Sequence, residues 1–253
     1  MKFITTALAA IFISTQLFAS DIATTWGLDA MNKQVDETNF LINSGCSGTL
    51  IDSAHGLILT ANHCIAAQYK EVEQENVSDD GVVTKKTVRI SVPGEATKLI
   101  FNGYEEVGKM SYTFKVVKSD KVKDLALVQL QMPLPVGTME APVACAQGIR
   151  GDTVIAVGNP MGVLYSTVSY GNISSLERSY STIGREGAGL VQTTAPIGGG
   201  NSGGALYNDR GEIVGVNVMG YRQISPLGFA VPLVDIREFL GDKIPACVVN
   251  TKE

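Results

Sequence analysis

Gly200-Asn201-Ser202-Gly203-Gly204-Ala205-Leu206-Tyr207-Asn208-Asp209 decides between two architectures. Its first five residues fit the short G-x-S-x-G pattern of the elbow used by doubly wound α/β hydrolases. There the serine sits on a strand-to-helix turn and is followed in chain order by an acid and then a histidine. Here Ala205-Leu206-Tyr207 runs into a turn, Asn208-Asp209-Arg210-Gly211, and not into a helix. The chain holds two histidines, His55 and His63, and both precede the serine. Residue order argues against the elbow.

Two segments upstream complete a set. Thr60-Ala61-Asn62-His63-Cys64 and Asp124-Leu125-Ala126-Leu127 stand before Ser202 in the order His, Asp, Ser. In acyl transfer a serine supplies the nucleophile, a histidine removes its proton, and a buried aspartate orients the histidine. Asp124 opens an apolar run that can bury it, whereas Asp120 lies among Lys121 and Lys123 in a stretch that reads as exposed. Asp52-Ser53-Ala54-His55 reads as a turn, which places His55 on the surface.

Around these segments the chain is built of short runs rich in Val, Ile, Leu and Thr, broken by Gly, Asp and Asn. Gly45 to Ile51 and Gly56 to Ala61 form a candidate hairpin. Thr87 to Val92, Lys98 to Phe101, Tyr112 to Lys118 and Leu125 to Leu130 complete a first lobe of about 44–134, closed by the prolines at 133 and 135. Thr153 to Val157, Ser166 to Ile173, Leu190 to Thr194, Gly204 to Leu206, Ile213 to Met219 and Gly228 to Val231 give a second lobe of about 135–241. Residues 24–41 carry an imperfect helical spacing, and Leu233, Ile236, Phe239 and Leu240, closed by Gly241, predict a terminal helix. The charged stretch 68–86 reads as a solvated loop or projecting hairpin, with acidic spacing that matches no calcium loop. Many short strands and little interior helix predict an all-β chain of two closed barrels.

Residues 1–19 read as an export signal: Lys2, an apolar Phe3 to Phe18, and Ala19 before the cut, leaving 20–253 as the folded unit. No later segment is apolar for long enough to cross a bilayer. A net charge of -5 and the lack of a basic, aromatic-interleaved strip exclude a nucleic-acid partner. Four cysteines, Cys46, Cys64, Cys145 and Cys247, fit two disulfides in an exported chain, with three pairings open. Cys46 with Cys64 is favoured, because it ties the strand before His63 to the turn that carries it. Cys145 with Cys247 would pin the tail to the connection between lobes. Two histidines and widely spaced cysteines make no zinc signature, and no Gly-Lys-Ser/Thr end follows the glycines, so neither metal nor cofactor is expected.

The ordered segments resemble the trypsin-like serine peptidases of chymotrypsin fold, and among them the bacterial HtrA-like (Deg) proteases. Gly48-Thr49-Leu50-Ile51 with Leu59 to His63, Asp124 to Val128, Gln192 to Ala195, Gly200 to Leu206, Gly215-Val216-Asn217 and Gly228 to Pro232 carry the likeness over about residues 40 to 241. The resemblance implies two six-stranded antiparallel barrels and a short C-terminal helix. It implies His63, Asp124 and Ser202 as a catalytic set, and the N–H groups of Gly200 and Ser202 as oxyanion donors. It places Pro196 near the floor of the primary specificity pocket and Val216, Asn217 and Val218 along a wall that pairs with substrate. No acid occupies that floor, so cleavage of polypeptides, unfolded proteins among them, is expected after small or medium apolar residues. Only a short tail follows Gly241, so the PDZ domain usual in HtrA proteins is not expected in this chain. Asn201 stands where digestive zymogens carry an aspartate, which removes the ion pair used for N-terminal activation. HtrA relatives often trimerise through N-terminal aromatics, and Trp26 and Phe40 are the candidates here. The competing readings are a silent, protease-like peptide-binding protein and an esterase of the same fold. Export leaves periplasm and full secretion both open.

Overall fold

The computed structural model describes residues 26–78, 80, 83–103, 105–179, 189–220 and 227–247. The expected signal segment, 1–19, lies outside them. Helix α1 (Leu28–Thr38) forms where Met31, Gln34, Val35 and Thr38 recur at helical spacing and are buried, with Asp29 favourably placed in the first turn. The helical spacing read over 24–41 ends early. Asn39 is extended, and Asn39–Ile42 becomes strand β1 with all four residues buried, so Phe40 and Leu41 fill a barrel and not a helix face.

Strand β2 (Cys46–Asp52) turns through Ser53 to Gly56 into β3 (Leu57–Ala61). Strands β6 (Gly94–Asn102), β7 (Glu105–Asp120) and β8 (Leu125–Leu130) close the first barrel in the order β1-β2-β3-β8-β7-β6. Strands β4 (Tyr69–Val77) and β5 (Val83–Ser91) form a separate two-stranded hairpin. The strand read at Thr87 to Val92 therefore belongs to this projection and not to the barrel. Its composition gives the reason: Lys85 Nζ lies 3.2 Å from Glu75 and 3.6 Å from Glu73, and such polar pairs stay in water. The base of the hairpin is closed by Val92 N–H donating to the Gln68 carbonyl, 2.7 Å.

The second barrel runs β10-β11-β14-β13-β12-β9. It comprises β9 (Thr153–Gly158), β10 (Thr167–Arg178), β11 (Leu190–Thr193), β12 (Ala205–Tyr207), β13 (Ile213–Gly220) and β14 (Gly228–Pro232). The all-β, two-barrel architecture is thus present, with a short C-terminal helix α2 (Leu233–Leu240). Leu233, Ile236, Phe239 and Leu240 are its buried positions, and Gly241 ends it at φ 57. Although α2 follows the second barrel, it is strapped to the first. Lys123 Nζ reaches Asp235 and Glu238, while Lys118 Nζ donates to the Phe239 carbonyl and lies 4.9 Å from its ring centre. The Cys145–Cys247 bridge then pins the tail.

Trp26 and Phe40 are both used inside the domain. Phe40 is fully buried, and Trp26 packs on Tyr207 with 5.3 Å between ring centres, against Gly211. Among the described residues no helix is long and apolar enough to cross a membrane.

Helix α1, β6, β7 and residues 135–138 line a cleft of about 810 Å³. Burial there pushes the Asp36 carboxyl up to about 6; Lys98 opposes the rise and Glu37 adds to it. An acid whose folded pKa is raised destabilises the fold above that pKa, and the penalty fades as pH falls through it. Asp36→Asn is therefore expected to stabilise the protein near pH 8 by about 1 kcal/mol, after allowance for solvent screening of a half-exposed group. The gain should shrink as pH falls through 6 and be small near pH 4, where the folded carboxyl is neutral and the unfolded one, at 3.8, is partly so. Urea unfolding of both proteins at the two pH values measures the difference.

Candidate active site

His63 sits on a short 3-10 turn, Asn62–Gln68, immediately after β3. Its backbone N–H donates to Asp124 Oδ1 at 2.9 Å, and its ring Nδ1 lies 2.8 Å from Asp124 Oδ2. Both carboxylate oxygens are engaged by one residue, which fixes the ring. Nδ1 facing a carboxylate carries the proton, so Nε2 is the basic nitrogen. Asp124 is 3% exposed and has a left-handed backbone, φ 54, at the start of β8, where Leu125 is fully buried. Asp120 instead accepts the N–H groups of Val122 and Lys123 at 2.9 Å and caps the β7–β8 turn. His55 makes a similar pair of contacts with Asp52, at 2.8 and 2.9 Å, on the exposed β2–β3 turn.

The Cys46–Cys64 disulfide spans the foot of this turn. A ring nitrogen of His63 lies within 4.8 Å of both sulfurs. These sulfurs are spent on each other and offer no thiolate to a metal. Cys64 Sγ also lies 3.5 Å from the carbonyl oxygen of Ser202, a packing contact between the histidine turn and the serine loop. The Ser202 hydroxyl donates to the Val218 carbonyl at 3.2 Å.

The loop around Ser202 is held by its carbonyls. Asn201 N–H donates to Gly198 O (3.1 Å), Met161 N–H to Gly199 O (2.8 Å), and Gly204 N–H to Asn201 O (3.0 Å). The Ser47 hydroxyl donates to Gly200 O and its N–H to Ser202 O, each at 2.7 Å. Among the described residues, the N–H groups of Gly200 and Ser202 donate to nothing. Gly200 has φ 100, and a Cβ there would overlap the Asn159 carbonyl, so only glycine fits.

The expected wall is only partly where the sequence suggested. Val216 and Asn217 are buried, and both their strand edges are taken. Val216 pairs with Ala205 and Val231, while Asn217 exchanges main-chain bonds with Gly203 and Gly204 and pairs with Ala230. The Asn217 side chain donates inward to Val157 O and Ala205 O at 3.1 and 3.0 Å. An interior strand cannot add a substrate strand, so neither residue forms the pairing wall. Val218 is the one that reaches Ser202. Val218 lies at a bulge, Met219 and Gly220 pair with β14, and from Val218 to Gly220 the other edge of β13 carries no described strand. Pro196 is exposed, its carbonyl bonded by Ser169 Oγ at 2.7 Å. Its neighbour Ile197 is turned in: a Cβ on Gly228 would fall 2.6 Å from Ile197 Cδ1, and one on Gly220 would overlap the Ile197 carbonyl oxygen.

The Trypsin-like peptidase domain signature matches residues 46–216. This chain belongs to the trypsin-like peptidase domain family. A Do-like protease of Arabidopsis thaliana is 34% identical over 197 residues, covering 77% of this chain and 40% of that protein. A do/HhoA-like serine protease of Haemophilus influenzae is 34% identical over 193 residues, 74% of this chain and 34% of its own length. The chain therefore spans well under half the length of these relatives. Among solved structures, an HtrA-type protease with a tripeptide superposes with a TM-score of 0.62 at 24% identity, over 85% of this chain and 62% of that one. That likeness speaks for the fold, and with the sequence relatives it sets this chain close to the HtrA and Do-like serine proteases.

Ser47, Asn159, Met161 and Ile197 were not singled out from the sequence. The Asn159-Pro160 pair was a turn signal that could have drawn notice to this loop. Nothing in the sequence marks Ser47, one serine in a strand. Replacing Cys46 and Cys64 together by alanine should cost about 3 kcal/mol of stability for a loop of this length, read as a lower urea midpoint, with a steeper slope as the unfolded chain expands.

Proposed function

We propose that this chain is an exported serine endopeptidase whose nucleophile, base and orienting acid are Ser202, His63 and Asp124. The observation that carries the reading is the coincidence of three things. A histidine is oriented through Nδ1 by a buried carboxylate, a disulfide ties its turn to β2 beside Ser47, whose N–H bonds the Ser202 carbonyl, and the serine loop has two unspent N–H groups, those of Gly200 and Ser202. In the reaction the Ser202 hydroxyl turns from the Val218 carbonyl to His63 Nε2, which takes its proton as Oγ bonds to the scissile carbonyl carbon. The carbonyl oxygen becomes an anion between the N–H groups of Gly200 and Ser202. Collapse expels the amine, protonated by the imidazolium, and leaves an acyl-enzyme that water cleaves by the same proton route. Asp124 keeps its charge throughout and stabilises the imidazolium.

Polypeptide is the fitting substrate, because the open edge of Val218 to Gly220 can take an extended chain as an added strand. Ile197 fills the space between Gly220 and Gly228, which leaves room for small and medium apolar side chains before the cut bond and supplies no charge for a basic one. Two disulfides and the apolar segment read at 1–19 support export, and the folded unit is taken as 20–253.

Incubating the mature protein with an unfolded substrate and a fluorophosphonate should yield fragments and a covalent label. Ser202→Ala should yield neither. Binding of the substrate without cleavage or label would identify a silent, peptide-holding protein instead. Asp124→Asn should lower kcat by about 10⁴-fold through loss of the correct tautomer. Ile197→Ala should shift the mass-mapped cleavage profile towards larger side chains; an unchanged profile would remove Ile197 from the pocket.

A further inference from the structure

One buried hydroxyl bonds the peptide that follows Gly200 and, through Asn159, supports the turn whose Met161 N–H holds the peptide that precedes it. Ser47, on β2 of the first barrel, is fully buried. Its Oγ–H donates to Gly200 O at 2.7 Å, while the same oxygen accepts Asn159 N–H at 2.8 Å and Asn159 Nδ2 at 3.0 Å. Its N–H donates to Ser202 O, and its carbonyl accepts Thr60 Oγ1, both at 2.7 Å. Asn159 starts the turn that brings Met161, at φ 57, to donate to Gly199 O. The carbonyls on both sides of Gly200 are thus tied, one directly by Ser47 and the other through Asn159.

We infer that Ser47 is a positioning residue for the oxyanion loop: its hydroxyl, bridging Gly200 and Asn159, keeps the Gly200 N–H aimed into the cleft. The inference rests on the serine endopeptidase reading above and adds a named support for its transition-state site. The physical need is plain. Gly198, Gly199 and Gly200 have no side chains to resist rotation of their peptide planes, and a rotated 199–200 peptide would point a carbonyl where negative charge develops. The anchor lies on the other barrel, so the loop is held from outside its own sheet. Asn159 is itself tied to that barrel, donating to Phe40 O at 3.0 Å and accepting from Asn39 Nδ2 at 2.8 Å.

The test compares wild type with Ser47→Ala and with Ser47→Cys, which keeps most of the volume but donates weakly. Each is measured with a peptide amide substrate and with a peptide boronic acid, whose adduct places an oxygen in the oxyanion position. Binding of the intact peptide is measured separately with Ser202→Ala added. Loss of a direct oxyanion donor typically lowers kcat by about 10² to 10³-fold. Loss of this indirect support should lower kcat about 10 to 100-fold with KM unchanged. Boronate affinity should fall by the same factor, intact-peptide binding should not change, and the cysteine variant should be intermediate. Should Ser47→Ala fail to fold, the cysteine variant decides alone. Folded variants with wild-type kcat and boronate affinity, or with only a raised KM, overturn the inference. A wild-type protein that neither labels with fluorophosphonate nor cleaves overturns the parent reading, and this inference with it.

Discussion

A peptide loop can offer bare N–H groups to a ligand only if its carbonyls are committed elsewhere. From Gly198 to Ser202 every carbonyl accepts a hydrogen bond, and the donors come from the loop itself, from Met161 and from Ser47 on the opposite barrel. Each bond is individually modest, about 1 kcal/mol net. Together they convert the most flexible residue type into a fixed surface. The same buried polar network, with Asn39 and Asn159, lies between the barrels, so the contact that joins the two halves also shapes the serine loop.

The histidine side follows the same logic with different means. Its ring is held by a buried carboxylate and its turn by a disulfide, and the aspartate's left-handed backbone is accommodated between a buried strand and a lysine anchored on α2. The histidine side of the candidate site belongs to the first barrel and the serine side to the second.

Much of this was legible in the sequence. The β-rich rhythm and the terminal helix depend on local signals, such as apolar alternation, turn residues and Gly241, and these the structure places as expected; the carboxylate beside His63 is Asp124, the one that opens an apolar strand. What escaped depends on long-range contacts. Ser47 matters because of Gly200, which is 153 positions away, and no local pattern encodes that. The family likeness puts Asn217 along a substrate-pairing wall, but its main chain is consumed by Gly203 and Gly204. Phe40 looked like part of a helix because apolar spacing cannot separate a helix end from a buried strand of four residues.

The segment that carries the family likeness, 46–216, is shorter than the structure that makes it work. Strand β1 lies ahead of it and β14 behind it, and each closes a barrel. A fragment trimmed to those limits would keep every candidate reacting group yet open both cylinders into sheets with bare margins, inviting pairing between copies. The candidate reacting groups lie in the middle of the chain, and the strands that close the barrels around them lie at its ends.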